Sequence, residues 1–156
     1  MQLDRIDKRI LAELQQDARI SNQELAEKVG LSPSPCLRRV RQLEESGLIT
    51  GYHAQLDASK LGLKLLALVQ ISMDRHTPDY FELFEATVKS YPQVLECILI
   101  TGQSADFQLK VLVRDMEEYH DFLLNKLTRI KGVNDVHSSF VLRQVISKTA
   151  IPLDDV

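Results

Sequence analysis

Three guanidinium groups, Arg38, Arg39 and Arg41, fall within Pro33 to Leu43, a stretch that contains no acid. Arginine presents a planar fork of donors that matches guanine O6 and N7 or a phosphate, and the amide of Gln42 has the geometry to pair with adenine. Ser32 and Ser34 stand where a helix would begin, so their hydroxyls and the free N–H groups there suit a phosphate oxygen. On duplex DNA these residues divide into base reading for Arg38, Arg41 and Gln42, and backbone positioning for Ser32, Ser34 and Arg39. The competing reading is a solvated helix face neutralised by Glu44 and Glu45. Catalytic and metal chemistry is poorly represented. His53, His76, His120 and His137 are scattered, and neither a zinc-protease spacing, a cysteine–histidine pattern nor a phosphate-cradling glycine loop occurs. Glu117, Glu118, His120 and Asp121 occupy the positions left over by Met116, Tyr119, Phe122 and Leu123, the wet side of an amphipathic helix. No enzyme, metal or cofactor is expected.

The arginines need an element to hold them. Apolar residues at Leu3, Ile6, Ile10, Leu11 and Leu14 predict a first helix to about Gln16, with Asp4 as its cap and Asp7 three residues on. Ser21 and Glu24 form the S-x-x-E box that starts a second helix, which Gly30 ends. Ser32 and Pro33 then open a third helix running to about Ser46, with Gly47 beyond it. At 100° per residue Cys36, Leu37, Val40 and Leu43 share one side, and Ser34, Arg38, Arg41, Gln42 and Glu45 the other. Two helices joined by a tight glycine-containing turn, the second bearing arginines outward, form a helix-turn-helix able to enter a major groove. Residues 48–56 are rich in β-formers and predict a short hairpin or extended strand, and 57–62 a linker.

Beyond Gly62 the period changes. Strands are predicted at 63–73, 94–101, 106–114 and 133–147, with helices after Thr77-Pro78 (Phe81, Phe84, Val88 and Tyr91 inward) and after Asp115 (Met116, Tyr119, Phe122, Leu123, Leu127 and Ile130 inward). The order β-α-β-β-α-β gives a ferredoxin-like, four-stranded antiparallel sheet with both helices on one face. The fold class is α+β, with a helix-turn-helix domain over 1–56 and a ferredoxin-like domain over 63–156. In the first strand Leu65, Ala67, Val69 and Ile71 alternate with Leu66 and Leu68, and in the second Val94, Ile98 and Ile100 alternate with Leu95, Cys97 and Leu99. Both sides are apolar, so the face free of helices is expected to cover a second copy of the chain.

Composition sets the outer bounds. With 156 residues, 44% hydrophobic and 26% charged, and only 6 Gly and 5 Pro, the chain is that of a globular protein rather than a disordered or fibrous one. Its net charge of −3 hides a neutral 1–62, with 9 basic and 9 acidic groups, and an acidic remainder. The longest apolar run, Leu65 to Val69, is far short of the roughly 20 residues of a bilayer span, and the first residues are charged, so no membrane partner and a cytoplasmic location are expected. Cys36 and Cys97 read as small buried hydrophobes, without disulfide or zinc spacing.

The residues from Leu3 to Tyr52, and above all Leu31-Ser32-Pro33-Ser34-Pro35-Cys36-Leu37-Arg38-Arg39-Val40, resemble the DNA-binding half of the Lrp/AsnC, or feast/famine, regulators. The resemblance continues through Pro92, Val94-Leu95-Glu96-Cys97, Thr101-Gly102, Asp106-Phe107 and Gly132-Val133, and is strongest to the leucine-responsive branch. It implies a winged or extended helix-turn-helix joined to a ferredoxin-like ligand domain, in a transcription regulator whose homodimers assemble to a homo-octamer with a small amino acid bound between dimers. Carried over by position, Asp106 is the partner for the effector's ammonium, Thr101, Gly102, Gln103 and Ser104 supply backbone or hydroxyl contacts, and Ser138 and Ser139 face the same cleft. The three residues Gln103, Ser104 and Ala105 between Gly102 and Asp106 depart from the family pattern. Without the resemblance, Asp106 reads as a turn-shaping aspartate. The same branch points to leucine or methionine as effector. The alternatives are a ferredoxin-like oligomeric protein-binding module and a small amino-acid-metabolising enzyme.

Overall fold

The computed structural model describes residues 2–102 and 104–154. It separates into two compact units, residues 1–55 with 146–156, and residues 56–145.

The first unit is built on α1 (Arg5–Gln16), α2 (Asn22–Val29) and α3 (Pro33–Glu45). Their starts are fixed by local hydrogen bonds. Asp4 accepts from the N–H groups of Ile6 and Asp7 at 2.8 Å each, while Asp7 accepts from the Asp4 N–H at 3.1 Å. Ser21 and Glu24 reciprocate at 3.2 Å in each direction. Gly30 ends α2 at φ 77°, a left-handed value a side chain would resist, and lets the Leu31 N–H return to the Ala26 carbonyl at 2.9 Å. The turn into α3 is further tied by the Asn22 amide donating to the Pro33 carbonyl at 2.8 Å. Ile10, Leu11, Leu25, Ala26, Val29, Cys36 and Leu43 form the core, flanked by Leu3, Ile6, Leu14, Ile20, Leu31, Val40, Ile49 and Leu153.

Leu153 belongs to the tail expected in the second domain. The chain end instead joins the first unit, where the Gln15 amide both donates to the Ile151 carbonyl (3.0 Å) and accepts from its N–H (2.6 Å). No hairpin forms over 48–56 either. Among the described residues that segment holds no strand, and its backbone bond runs back to α3, from the Ile49 N–H to the Leu43 carbonyl at 3.2 Å. Leu48, Tyr52 and Leu56 are exposed along it.

The second unit opens with β1 (Leu65–Met73), followed by α4 (Pro78–Lys89), β2 (Val94–Leu99), β3 (Phe107–Val113), α5 (Met116–Asn125), a 3-10 turn (Leu127–Arg129) and β4 (Val133–Phe140). The sheet is antiparallel in the order β2-β3-β1-β4. Ala67, Val69, Ile71 and Met73 of β1 and Phe107, Leu109, Val111 and Val113 of β3 are buried beneath the helices with Phe84, Val88, Tyr119 and Phe122. Their alternates, Leu66, Leu68 and Gln70 on β1 and Gln108, Lys110 and Leu112 on β3, are only half-buried, since they lie on the face opposite α4 and α5.

Several expectations are corrected here. A bulge between Val94 and Glu96 resets the phase of β2, so Val94, Cys97 and Leu99 pair with Val111, Leu109 and Phe107 of the helix-covered face, while Ile98 pairs with Gln108 on the open one. Cys97 is exposed, because β2 is an edge strand. The last strand stops at Phe140 rather than Ser147, with one further backbone bond from the Val141 N–H to the Leu66 carbonyl at 2.9 Å. Met116, at the first position of α5, is exposed rather than inward.

Gly132 turns the chain into β4 at φ 94°, and a Cβ there would stand 2.3 Å from the Tyr80 ring. Strain and overlap act together, so Gly132→Ala is expected to cost about 1–3 kcal/mol. A shift of the urea midpoint would register it; an unchanged midpoint would contradict the crowding.

Candidate nucleic-acid interface and ligand loop

α3 is amphipathic, and its two sides are held differently. Cys36 and Leu43 are buried at 0% and 1% exposure, which fixes the rotation of the helix. Ser32, Ser34, Arg38, Arg41 and Gln42 are then exposed. Among the described residues neither Arg38 nor Arg41 makes an ion pair. The proposed neutralisation by Glu44 does not form: its carboxylate accepts from the Tyr52 hydroxyl at 2.9 Å.

Arg39 behaves otherwise. It is half-buried, and its Nη1 donates to Asp4 and to Asp7 at 2.7 Å each, so the guanidinium bridges α3 to the capped start of α1. This geometry spends Nη1 of Arg39 inside the unit and so competes with its expected role in DNA-backbone positioning. The phosphate-binding potential of the helix start is also narrower than expected. Pro33 and Pro35 lack N–H groups and the Cys36 N–H is spent on the Ser32 carbonyl at 3.3 Å, leaving the N–H of Ser34 together with a Ser32 hydroxyl that makes no capping bond. Leu37, expected inward, is 39% exposed one turn before Arg41, because it lies a full 100° off the Cys36 direction.

A second cluster lies where β2 returns into β3. Asp106 is woven into the end of β1: its N–H donates to the Ile71 carbonyl and its carbonyl accepts from the Ile100 N–H, both at 2.8 Å. Its carboxylate is also engaged, Oδ2 accepting from the Met73 N–H at 2.7 Å while Oδ1 lies 2.9 Å from His76 Nε2. Ser72 Oγ donates to the Ser104 carbonyl at 2.7 Å, pinning the loop from the same strand. Thr101, Gly102 and Ser104 are exposed beside it, and Gln103 lies outside the described residues.

Ser138 and Ser139 do not share a face, as neighbours on a strand cannot. Ser138 points beneath the sheet to the Tyr119 hydroxyl, whereas Ser139 pairs with Leu68 on the open side. The joint assignment of the two serines to one cleft is therefore corrected. His76 and Ser72, by contrast, carry no expected role although both touch this loop; Ser72 sits within the apolar run of β1 and His76 in the polar stretch after it, which has no periodicity to mark it.

Comparison with known proteins fits this division of the chain. Residues 3–50 match the family model for a winged helix-turn-helix DNA-binding domain, and residues 66–151 that for the Lrp/AsnC ligand binding domain. The chain is 48% identical over 143 residues to the leucine-responsive regulatory protein of Salmonella typhimurium, covering 92% of this chain and 87% of that one. The chain belongs to the Lrp/AsnC family. Another Lrp/AsnC relative is the Bkd operon transcriptional regulator of Pseudomonas aeruginosa, 45% identical over 97% of this chain and 99% of that one. A transcriptional regulator from Neisseria meningitidis solved in complex with L-Met superposes with a TM-score of 0.94 at 41% identity, covering 98% of both chains. AsnC of E. coli superposes at 0.89 with 28% identity, over 97% of this chain and all of that one. As an Lrp/AsnC protein the chain is a DNA-binding transcription regulator with an amino-acid-binding domain, and not an enzyme. Among the described residues no helix is long and apolar enough to cross a membrane.

The Asp4 carboxyl is held below its ordinary value of 3.8, first by the Asp7 N–H and then by Arg39. This contribution is complete above pH 3.8 and is lost as pH falls through the lower folded value. Arg39→Ala should therefore lower the melting temperature at pH 7, with the deficit shrinking in acid. In a DNA titration it should leave the slope of log affinity against log salt unchanged, where a phosphate contact would reduce that slope by about 1.

Proposed function

We propose that the exposed side of α3 reads an operator in the major groove, with Arg38, Arg41 and Gln42 on base edges and Ser32 and Ser34 on phosphate. The observation that carries this reading is the contrast within one helix: Arg39 is consumed by two carboxylates, while its neighbours Arg38 and Arg41 stand exposed and unpaired among the described residues. Leu37, on the same exposed flank, adds an apolar group suited to a thymine methyl.

The chain acts in the cytoplasm as a homodimer formed through the helix-free face of its sheet, and dimers assemble to a homo-octamer. Support comes from Leu66, Leu68, Leu112 and Ile98, apolar residues on the face of the sheet opposite α4 and α5. Joined dimers make later DNA contacts intramolecular, raising overall affinity by about 10²–10⁴ and offsetting the modest charge of each domain. The effector is leucine or methionine. The Salmonella relative is named for leucine, and the Neisseria neighbour holds L-Met. Asp106 takes the ammonium group, with Thr101, Gly102 and Ser104 around it, and Ser139 contributes from the open face of a neighbouring copy.

Fluorescence-anisotropy titration of an operator duplex tests the DNA reading. Arg38→Ala and Arg41→Ala are each expected to cost about 1–3 kcal/mol and to relax sequence preference; no loss for either would overturn it. For the effector, a melting screen of the twenty amino acids should single out leucine or methionine. A ligand at 100 times its dissociation constant stabilises by about 2.7 kcal/mol, and no shift with either would overturn that assignment.

A further inference from the structure

We propose that His76 is a built-in competitor for the effector: its imidazole occupies the Asp106 oxygen that an amino-acid ammonium group takes, and binding requires that ring to leave. This inference rests on the reading of Asp106 as the ammonium partner, and goes further by assigning the site a regulating residue.

The two carboxylate oxygens of Asp106 have different roles. Oδ2 is tied to the backbone N–H of Met73 at 2.7 Å, at the end of β1, and cannot be released without opening the strand end. Among the described residues, Oδ1 faces only His76 Nε2, at 2.9 Å. The Asp106 side chain is 19% exposed, so one oxygen remains for a ligand and the imidazole stands over the approach to it. His76 itself is lightly held: its side chain is 67% exposed, and its aromatic neighbour is the Phe81 ring, met edge-on with centroids 6.0 Å apart. A ring with so little packing swings away at small cost. An ammonium group supplies the same N–H donor with a full positive charge, so the imidazole imitates what the carboxylate would otherwise receive.

Asp106 faces His76 from the start of β3, and Asp74 and Arg75 flank it on the connection after β1. On α4, Tyr80 carries both Arg75 and Lys131 over its ring. Those two cations are thus engaged on an aromatic face, leaving the imidazole as the side chain set against Asp106 Oδ1 among the described residues.

Calorimetric titration of the full chain with L-methionine and with L-leucine tests this on wild type, His76→Ala, His76→Gln and Asp106→Asn. His76→Ala is expected to bind one of the two amino acids about 3–10-fold more tightly than wild type, a gain of about 0.7–1.4 kcal/mol. His76→Gln, which keeps an N–H donor, should fall between them. Asp106→Asn should not bind. Equal affinity of wild type and His76→Ala, with binding abolished in Asp106→Asn, would overturn the competitor while leaving the ammonium site standing. Retained binding by Asp106→Asn would overturn both, as would failure of both amino acids to bind His76→Ala.

Discussion

The rotation of α3 about its own axis is the constraint on which the nucleic-acid face depends. Cys36 and Leu43 are buried, and full burial of a leucine side chain contributes about 1.5–3 kcal/mol. The Arg39 bridge to Asp4 and Asp7 is partly wet, with the arginine side chain 27% exposed, and pairs of that kind contribute about 0–1 kcal/mol. Burial therefore decides which side of the helix turns inward. The ion pairs then select among the arginines at its boundary. Arg39 lies at the edge of the buried stripe, within reach of a helix cap that already concentrates two carboxylates, whereas Arg38 and Arg41 make no ion pair among the described residues.

In the sheet the equivalent constraint is the alternation of side chains across the strands. One set of alternates on β1 and β3 is consumed by α4 and α5, and the other set is left as a half-apolar surface. The ligand loop sits at the end of β1 nearest Ile71 and Met73, where the ladder stops and main-chain groups become free to hold a side chain. Asp106 thereby combines two functions that sequence reading treats as rivals. One oxygen shapes the turn through the Met73 N–H, and the other is held by a side chain that can move. A turn aspartate and an ammonium partner are compatible roles for a group with two oxygens.

What was legible in the sequence is what local hydrogen bonding and short periods determine. The Asp4–Asp7 and Ser21–Glu24 boxes, the left-handed Gly30 and the alternation of Phe107, Leu109, Val111 and Val113 are contained within a few residues, and the structure has each. The four-stranded antiparallel sheet followed because six elements of that pattern admit few sheets. The contacts that redirected Arg39 span 32 and 35 residues, and those that drew the tail to the first unit span 136. No periodicity reports such distances. The β2 bulge was equally hidden, since an apolar run alternates plausibly in either phase and only the partner strand shows where it slips. Ser138 and Ser139 were assigned by position alone, and the pleat separates them.

The most direct measurement of the central claim is the response of individual arginine Nε–H resonances in nuclear magnetic resonance spectra as operator duplex is added to the full chain. If the burial of Cys36 and Leu43 turns α3 as described, the Arg38 and Arg41 signals shift and become protected from exchange with water, while that of Arg39 keeps its free-state position. A spectrum in which Arg39 responds and Arg38 and Arg41 stay unchanged would contradict the account.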